Sequence, residues 1–134
     1  MSQADGRNVI GIVGLGLMGT ALAERFLEVG YEVRVWNRTR AKANALLAAG
    51  ARWSDRPLSD CPRVVVSLYT TSVVADVLDS MRDSWRAGTT VIDTTTGDPI
   101  ASEALERRLR DAGIAYLEAP ISGSSVQTRR GEST

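Results

Sequence analysis

The chain has 134 residues, of which 43% are hydrophobic and 24% are charged, and its formal net charge is zero. These values predict one globular domain and argue against nucleic acid or a membrane as a partner, since no apolar run approaches the roughly 20 residues that span a bilayer. The absence of histidine and the single cysteine exclude histidine-ligated zinc, histidine-based nucleophilic triads and an internal disulfide.

The N-terminal residues are polar and lack the apolar region of a signal peptide, and the low cysteine content fits a reducing compartment. We therefore expect a cytoplasmic protein with no metal site. The cysteine, Cys61, stands beside Pro62 with no base near it in the sequence, so we expect it to have only a packing role.

The first predicted element is a buried strand over residues 8–13. It runs into Gly14, Gly16 and Gly19, and then into an amphipathic helix that ends at Gly30. In a dinucleotide-binding turn of this spacing, the first glycine permits the turn, the second admits the pyrophosphate and the third lets the helix pack on the strand. The helix then directs unpaired N–H groups at the phosphates. The segment is predicted to bind a dinucleotide, the alternative being a glycine-rich turn without a ligand.

The later elements continue to alternate between strands and helices. Strands are predicted over residues 32–36, 51–53, 63–68, 90–93 and 115–118, helices over residues 39–49, 74–81 and 98–112, and a loop over residues 57–62. The last helix has a clear start, with Asp98 as the N-cap and Pro99 in the first position. This alternation predicts an α/β fold of the Rossmann type, with a doubly wound and mostly parallel sheet in a single domain.

The end of the second predicted strand indicates which dinucleotide is bound. NAD-binding units place an acidic residue there to take the ribose hydroxyls, but this chain has Asn37, Arg38 and Thr39. A carboxylate would repel a 2′-phosphate, whereas Arg38 offers it a planar fork of donors, and Asn37 and Thr39 can also hydrogen-bond it. The sequence therefore favours NADP over NAD. The alternative is that Arg38 and Arg40 are solvated charges at the start of a helix.

Four blocks of sequence carry a resemblance to a known family: GIVGLGLMGTALA, VWNRT, DTTTGDP and EAPISGS. With these blocks the chain resembles the β-hydroxyacid dehydrogenases, which include 3-hydroxyisobutyrate dehydrogenase, tartronate semialdehyde reductase, glyoxylate/succinic semialdehyde reductase and the cofactor domain of 6-phosphogluconate dehydrogenase. The resemblance implies a dinucleotide-binding domain over residues 1–119. It also implies a substrate-loop segment over residues 120–134, leading toward the family's helical domain, which we expect to be absent from this chain.

The resemblance also implies which residues bind the cofactor. The first block would hold the pyrophosphate and the second the 2′-phosphate, while the third would lie near the nicotinamide ribose. Residues at the carboxyl end of the fourth strand are placed to touch the cofactor as well. The expected cofactor-binding residues are Gly14, Leu15, Gly16, Leu17, Met18, Gly19, Asn37, Arg38, Thr39, Leu68, Tyr69, Thr95 and Thr96. An alternative for residues 94–96 is that they cap the following helix.

The fourth block resembles the family's substrate loop. On that resemblance Ser122, Gly123 and Ser124 would hold the carboxylate of a small substrate, and Ser122 would orient it for catalysis. The implied reaction is hydride transfer between NADP(H) and a small 3-hydroxyacid or its semialdehyde. Two alternatives are an NADPH-dependent imine reductase, whose substrate loop usually differs, and a non-catalytic NADPH-binding module.

The proton relay of this family is a lysine in the helical domain. The only lysine of this chain, Lys42, is predicted to lie by the adenosine end of a bound cofactor, away from the nicotinamide. We therefore expect the chain to bind its cofactor without turning over substrate, and we expect a homodimer only for a full-length form.

Overall fold

A six-stranded parallel sheet forms the centre of the protein, in a computed structural model that describes residues 8–95 and 98–119. Its strands are β1 (Val9–Val13), β2 (Glu32–Trp36), β3 (Arg52–Trp53), β4 (Arg63–Val66), β5 (Thr90–Asp93) and β6 (Ala115–Glu118). The strand order is β3-β2-β1-β4-β5-β6, which is the order of a Rossmann fold. The predicted fold class is therefore confirmed.

Helices connect these strands on both faces of the sheet. They are α1 (Leu17–Glu28), α2 (Asn44–Ala48), α3 (Pro57–Asp60), α4 (Thr71–Ser80) and α5 (Pro99–Asp111), with 3₁₀ turns over Arg40–Ala43 and Arg82–Ser84. The start of α5 is as predicted, because the Asp98 side chain accepts the N–H of Ile100 at 3.0 Å and Pro99 takes the first helical position. In the part of the chain that the structure describes, no helix is long and apolar enough to cross a membrane.

Two predicted elements differ in extent, since β4 ends at Val66 and α4 begins at Thr71, and two others differ in kind. The helix predicted over residues 39–49 begins as a 3₁₀ turn, because the N–H of Lys42 donates to the carbonyl of Thr39, and the Thr39 side chain makes no capping bond. The loop predicted over residues 57–62 contains α3, because Pro57 starts a helical turn instead of breaking one and Leu58 is fully buried beneath it.

The two faces of the sheet bury separate cores. Alternate residues of the central strands point to opposite faces, so that Val64 and Val66 pack with α4 and α5, whereas Val65 packs with α1 and α2. This two-sided burial explains why the sequence of β4 is continuously apolar. Cys61 is 2% exposed and belongs to the core beneath α4. Burial raises the pKa of its thiol to about 12, in agreement with a packing role.

The parallel strands bring their carboxyl ends to one edge of the sheet. The register places Val13 beside Trp36 on one side and beside Val66 on the other, and Val66 beside Asp93. The strand order reverses between β1 and β4, so the segments that leave these two strands diverge onto opposite faces. In open α/β sheets, a crevice at such a switch point is where ligands bind.

Candidate cofactor-binding site

A cleft of about 600 Å³ opens at this switch point, between the segments that follow β1, β2 and β4. Its lining residues are Gly14, Leu15, Gly16, Leu17, Met18, Trp36, Asn37, Arg38, Lys42, Ser67, Leu68, Tyr69, Val73 and Val77. The size is that of an ordinary ligand pocket. Most residues predicted to bind the cofactor line this cleft, so the structure brings the first two sequence blocks and the end of β4 together.

Two of the three motif glycines allow close packing of backbone on backbone. Gly14 has a φ of +101°, and a Cβ there would lie 2.1 Å from the carbonyl oxygen of Ser67. A Cβ at Gly19 would lie 1.8 Å from the carbonyl oxygen of Gly14. Any side chain at Gly19 would therefore push α1 away from the turn after β1, as the sequence predicts for the third glycine.

Gly16 has a different environment. A Cβ there would meet no protein atom within 4 Å. Gly16 is the N-cap of α1, where no side chain makes a capping hydrogen bond, and Leu17 beside it is 83% exposed. Open space therefore lies in front of the helix N-terminus, where backbone N–H groups and the helix dipole favour an anion. The cradle fits a pyrophosphate, and a side chain at Gly16 would take up this space.

Asn37 links the turns that follow β1 and β2. Its Oδ1 accepts the N–H of Leu15 at 2.9 Å, and its Nδ2 donates to the carbonyl of Thr39 at 3.0 Å. The side chain was expected to bind the 2′-phosphate, but these bonds use its oxygen and one of its two amide protons. Its role in the described structure is to hold the two turns together.

The corner beside Asn37 is cationic. Arg38 and Lys42 both line the cleft and are exposed, and no carboxylate lines it among the described residues. The guanidinium of Arg40 instead stacks over Trp53, with its Cζ 4.7 Å from the ring centroid. Arg40 is thus engaged outside the cleft, while Arg38 remains available to an anion.

Thr39 and Thr95 do not line the cleft. Thr39 is exposed, and its carbonyl accepts from Asn37 and Lys42. Thr95 is only 5% exposed, and its Oγ1 accepts the N–H of Leu68 at 3.0 Å. The Thr95 side chain is therefore buried and does not line this cleft, and its place near the nicotinamide ribose stays a prediction. It does not cap α5 either, because Asp98 does.

Some predicted site residues fall where the structure gives no description. Thr96 lies outside the described residues, as do Ser122, Gly123 and Ser124 of the predicted substrate loop. Across residues 8–95 and 98–119, no group of three or more potential metal ligands is present.

Five lining residues were not assigned from the sequence: Trp36, Lys42, Ser67, Val73 and Val77. Trp36 ends β2 and Ser67 follows β4, so the argument from strand ends that selected Leu68 could also have found them. Val73 and Val77 lie four residues apart on α4, and in sequence they cannot be told from the core-facing stripe of that helix.

Comparison with known proteins now identifies the family. The model of the NAD binding domain of 6-phosphogluconate dehydrogenase matches residues 9–134. This chain belongs to that family. The resemblance to the β-hydroxyacid dehydrogenases is confirmed, and the chain is an NAD(P)-binding domain of this oxidoreductase family.

Among its relatives, the chain is 30% identical to glyoxylate/succinic semialdehyde reductase 2 of Arabidopsis thaliana, across 92% of the chain and 36% of the relative. It is 36% identical to an NADPH-dependent reductive aminase of Aspergillus oryzae, across 84% of the chain and 39% of the relative. A solved reductive aminase of Aspergillus terreus, in complex with NADPH and ethyl levulinate, superposes with a TM-score of 0.79 at 29% identity, across 90% of this chain and 43% of that one. The chain thus spans less than half the length of these relatives.

Proposed function

We propose that this chain is the NADP(H)-binding part of an oxidoreductase that transfers hydride between NADP(H) and a small 3-hydroxyacid or its semialdehyde. The observation that carries the proposal is the open cradle at Gly16, next to a corner that presents Arg38 and Lys42 and, among residues 8–95 and 98–119, no lining carboxylate. When bound, the nicotinamide cofactor supplies or accepts the hydride. The residues of this chain bind and orient it.

The choice of NADP over NAD follows from the charges at this corner. A 2′-phosphate is a dianion near neutral pH, and Arg38 can donate two parallel hydrogen bonds to it, while Lys42 adds a second positive charge. NAD has a hydroxyl group in place of the 2′-phosphate, so with NAD bound neither Arg38 nor Lys42 would have this anion to pair with. The NADPH dependence of the Aspergillus oryzae reductive aminase and the NADPH bound in the Aspergillus terreus structure support the same choice.

The proposed substrate is a small carboxylate, held by Ser122, Gly123 and Ser124 and oriented by Ser122. This assignment rests on the family's substrate loop. Lys42 lines the cleft together with Arg38, and we expect an alkoxide at the nicotinamide end to lie beyond its hydrogen-bond reach. We therefore propose that the catalytic lysine, most of the substrate walls and any homodimer contact belong to a helical domain of a longer protein.

A second candidate is imine reduction, favoured by the 36% identity to the reductive aminase. A third is a module that binds NADPH without catalysis. The cofactor cleft is compatible with all three, so substrate assays must separate them. We also propose that the protein is cytoplasmic, unlike the relative from Arabidopsis thaliana, which is named as chloroplastic.

Calorimetric titration of the chain with NADPH and NADH tests the cofactor assignment, and we expect clearly tighter binding of NADPH. Incubation with NADPH and succinic, tartronate or methylmalonate semialdehyde, followed at the nicotinamide absorbance band, tests turnover. We expect no turnover by this chain alone, whereas fusion to a helical domain of a relative should permit it. Turnover only with a ketone and an amine would favour imine reduction, and failure to bind either cofactor would refute the proposal.

A further inference from the structure

A series of hydrogen bonds between buried side chains connects the last strand of the sheet to the wall of the cleft. The hydroxyl of Tyr116 on β6 donates to Oδ2 of Asp93 at 2.5 Å. Oδ1 of Asp93 accepts the N–H of Thr95 at 2.8 Å, and Oγ1 of Thr95 accepts the N–H of Leu68 at 3.0 Å. Each of the three polar side chains is at most 7% exposed. The series therefore ends on a backbone atom of the loop after β4.

Leu68 is the residue through which this series reaches the cleft. β4 ends at Val66, so the N–H of Leu68 is held by a side-chain hydroxyl and not by a neighbouring strand. Leu68 lines the cleft with Tyr69, and it packs closely on the glycine turn, since a Cβ at Gly14 would lie 2.8 Å from its Cδ2. The position of the Leu68 backbone thus sets one wall of the cleft and its contact with the opposite turn.

We propose that Thr95 is a positioning residue for cofactor binding, because its hydroxyl fixes the backbone of Leu68. Asp93, held in turn by Tyr116, fixes the backbone of Thr95. This inference rests on the proposed function, since the wall concerned is that of the proposed NADP(H) site. Thr95 acts through Leu68 and Tyr69, because loss of the acceptor would leave a partly buried N–H unpaired and favour a shifted loop in which that N–H finds another partner.

Two variants that differ by one oxygen atom isolate the hydroxyl. Thr95→Ser and Thr95→Ala both lose the methyl group, but only the serine variant keeps an acceptor for the Leu68 N–H. By calorimetry, we expect Thr95→Ser to bind NADPH within about twofold of the parent and Thr95→Ala to bind it roughly tenfold more weakly. Thr95→Val keeps the side-chain volume and should match the alanine variant, so it decides the test if Thr95→Ala does not fold.

Thr94→Val is the matched control, because Thr94 is the sequence neighbour and also uses its hydroxyl to reach β4. Its Oγ1 donates to the carbonyl of Val66 at 2.9 Å, and that carbonyl also accepts the N–H of Thr94. Removing this hydroxyl therefore leaves no backbone group without a partner. We expect Thr94→Val to bind NADPH within about twofold of the parent.

Amide hydrogen exchange distinguishes the loss of this one hydrogen bond from a general packing defect. In the chain without cofactor, exchange at the Leu68 N–H should accelerate in Thr95→Ala relative to Thr95→Ser, while the Val65 amide within β4 stays equally protected in both. Equal NADPH affinities of the two variants, or an equal loss in Thr94→Val, would overturn the role of Thr95. A parent chain that does not bind NADPH would instead refute the proposed function itself.

Discussion

The side-chain oxygen of Asn37 lies 2.9 Å from the backbone nitrogen of Leu15, and this bond joins turns that follow two different strands. The amide nitrogen of the same side chain completes the link by donating to Thr39. One short polar side chain therefore sets the distance between the proposed pyrophosphate cradle and the cationic corner. We therefore expect that a substitution at Asn37 can change the cofactor preference while Arg38 and Lys42 stay in place.

Asn37→Asp should shift the cofactor preference toward NADH. A carboxylate still accepts the N–H of Leu15, but it loses the donor to Thr39 and places a negative charge beside the proposed 2′-phosphate. We expect NADPH affinity to fall roughly tenfold or more, with NADH affinity kept or raised, as measured by calorimetry. Asn44→Asp is the control, since it adds the same charge on an exposed position of α2 that does not line the cleft. Equal losses for both cofactors in Asn37→Asp would show that the link itself, and not charge, decides binding.

Arg38→Ala should weaken NADPH binding by roughly ten- to a hundredfold and leave NADH binding nearly unchanged, because charge-assisted hydrogen bonds contribute about 1.5–3 kcal/mol each. Arg40→Ala is the matched control, since Arg40 stacks on Trp53 and does not line the cleft. We expect that control to change NADPH affinity by less than about threefold. Equal losses of NADPH affinity in Arg38→Ala and Arg40→Ala would show that Arg38 does not bind the 2′-phosphate.

Gly16→Val and Gly19→Val should both abolish NADPH binding, but for different reasons. The Gly16 variant should melt close to the parent, because its side chain enters open space and its φ of −74° suits any residue. The Gly19 variant should lose about 1–3 kcal/mol of unfolding free energy, since its Cβ would overlap the Gly14 carbonyl. Chemical denaturation combined with NADPH titration separates the two effects. NADPH affinity near the parent value in Gly16→Val would show that the turn has only a structural role.

Cys61 should make the stability of the chain fall in alkaline solution. Its thiol pKa is raised from 9.0 in the unfolded chain to about 12 by burial, so the folded chain keeps a proton that the unfolded chain releases above pH 9. The contribution of the thiol to the free energy of unfolding is therefore fully present below pH 9. It is lost as the pH rises from 9 toward 12, by up to about 1.4 kcal/mol per pH unit. Denaturant titrations between pH 8 and 10 measure this slope, and Cys61→Ala should remove it. A thiol that reacts with an alkylating reagent as fast as free cysteine at pH 8 would contradict this environment.

The parts of the molecule that follow from local pattern were predicted well. The alternation of apolar strands and amphipathic helices specified the sheet, the Asp98-Pro99 pair placed the start of α5, and the three glycines located the turn at the cleft. Each of these signals is carried by neighbouring residues, so a single sequence contains it.

Roles that depend on contacts across the sheet were not predictable in the same way. The bond that the Thr95 hydroxyl accepts from Leu68 was not predicted, because it arises only when β4 and β5 pair. The engagement of Arg40 likewise depends on Trp53, which the pairing of β2 with β3 brings near it. Lys42 lines the cleft from a 3₁₀ turn, where the sequence predicted a regular helix.

The placement of the tryptophans gives the protein a built-in optical reporter. Trp36 forms part of the cleft lining, and its ring lies 6.5 Å from that of Trp53, whereas Trp85 packs beneath α4 and donates its Nε1 hydrogen to the Leu78 carbonyl. The reduced nicotinamide ring absorbs light at the wavelengths at which the indole ring of tryptophan emits, whereas the oxidised nicotinamide ring does not. The intrinsic emission of the Trp36–Trp53 pair should therefore be quenched by energy transfer to the reduced cofactor. Tryptophan fluorescence could then report whether the cleft is occupied and whether the bound cofactor is reduced or oxidised, without any added label.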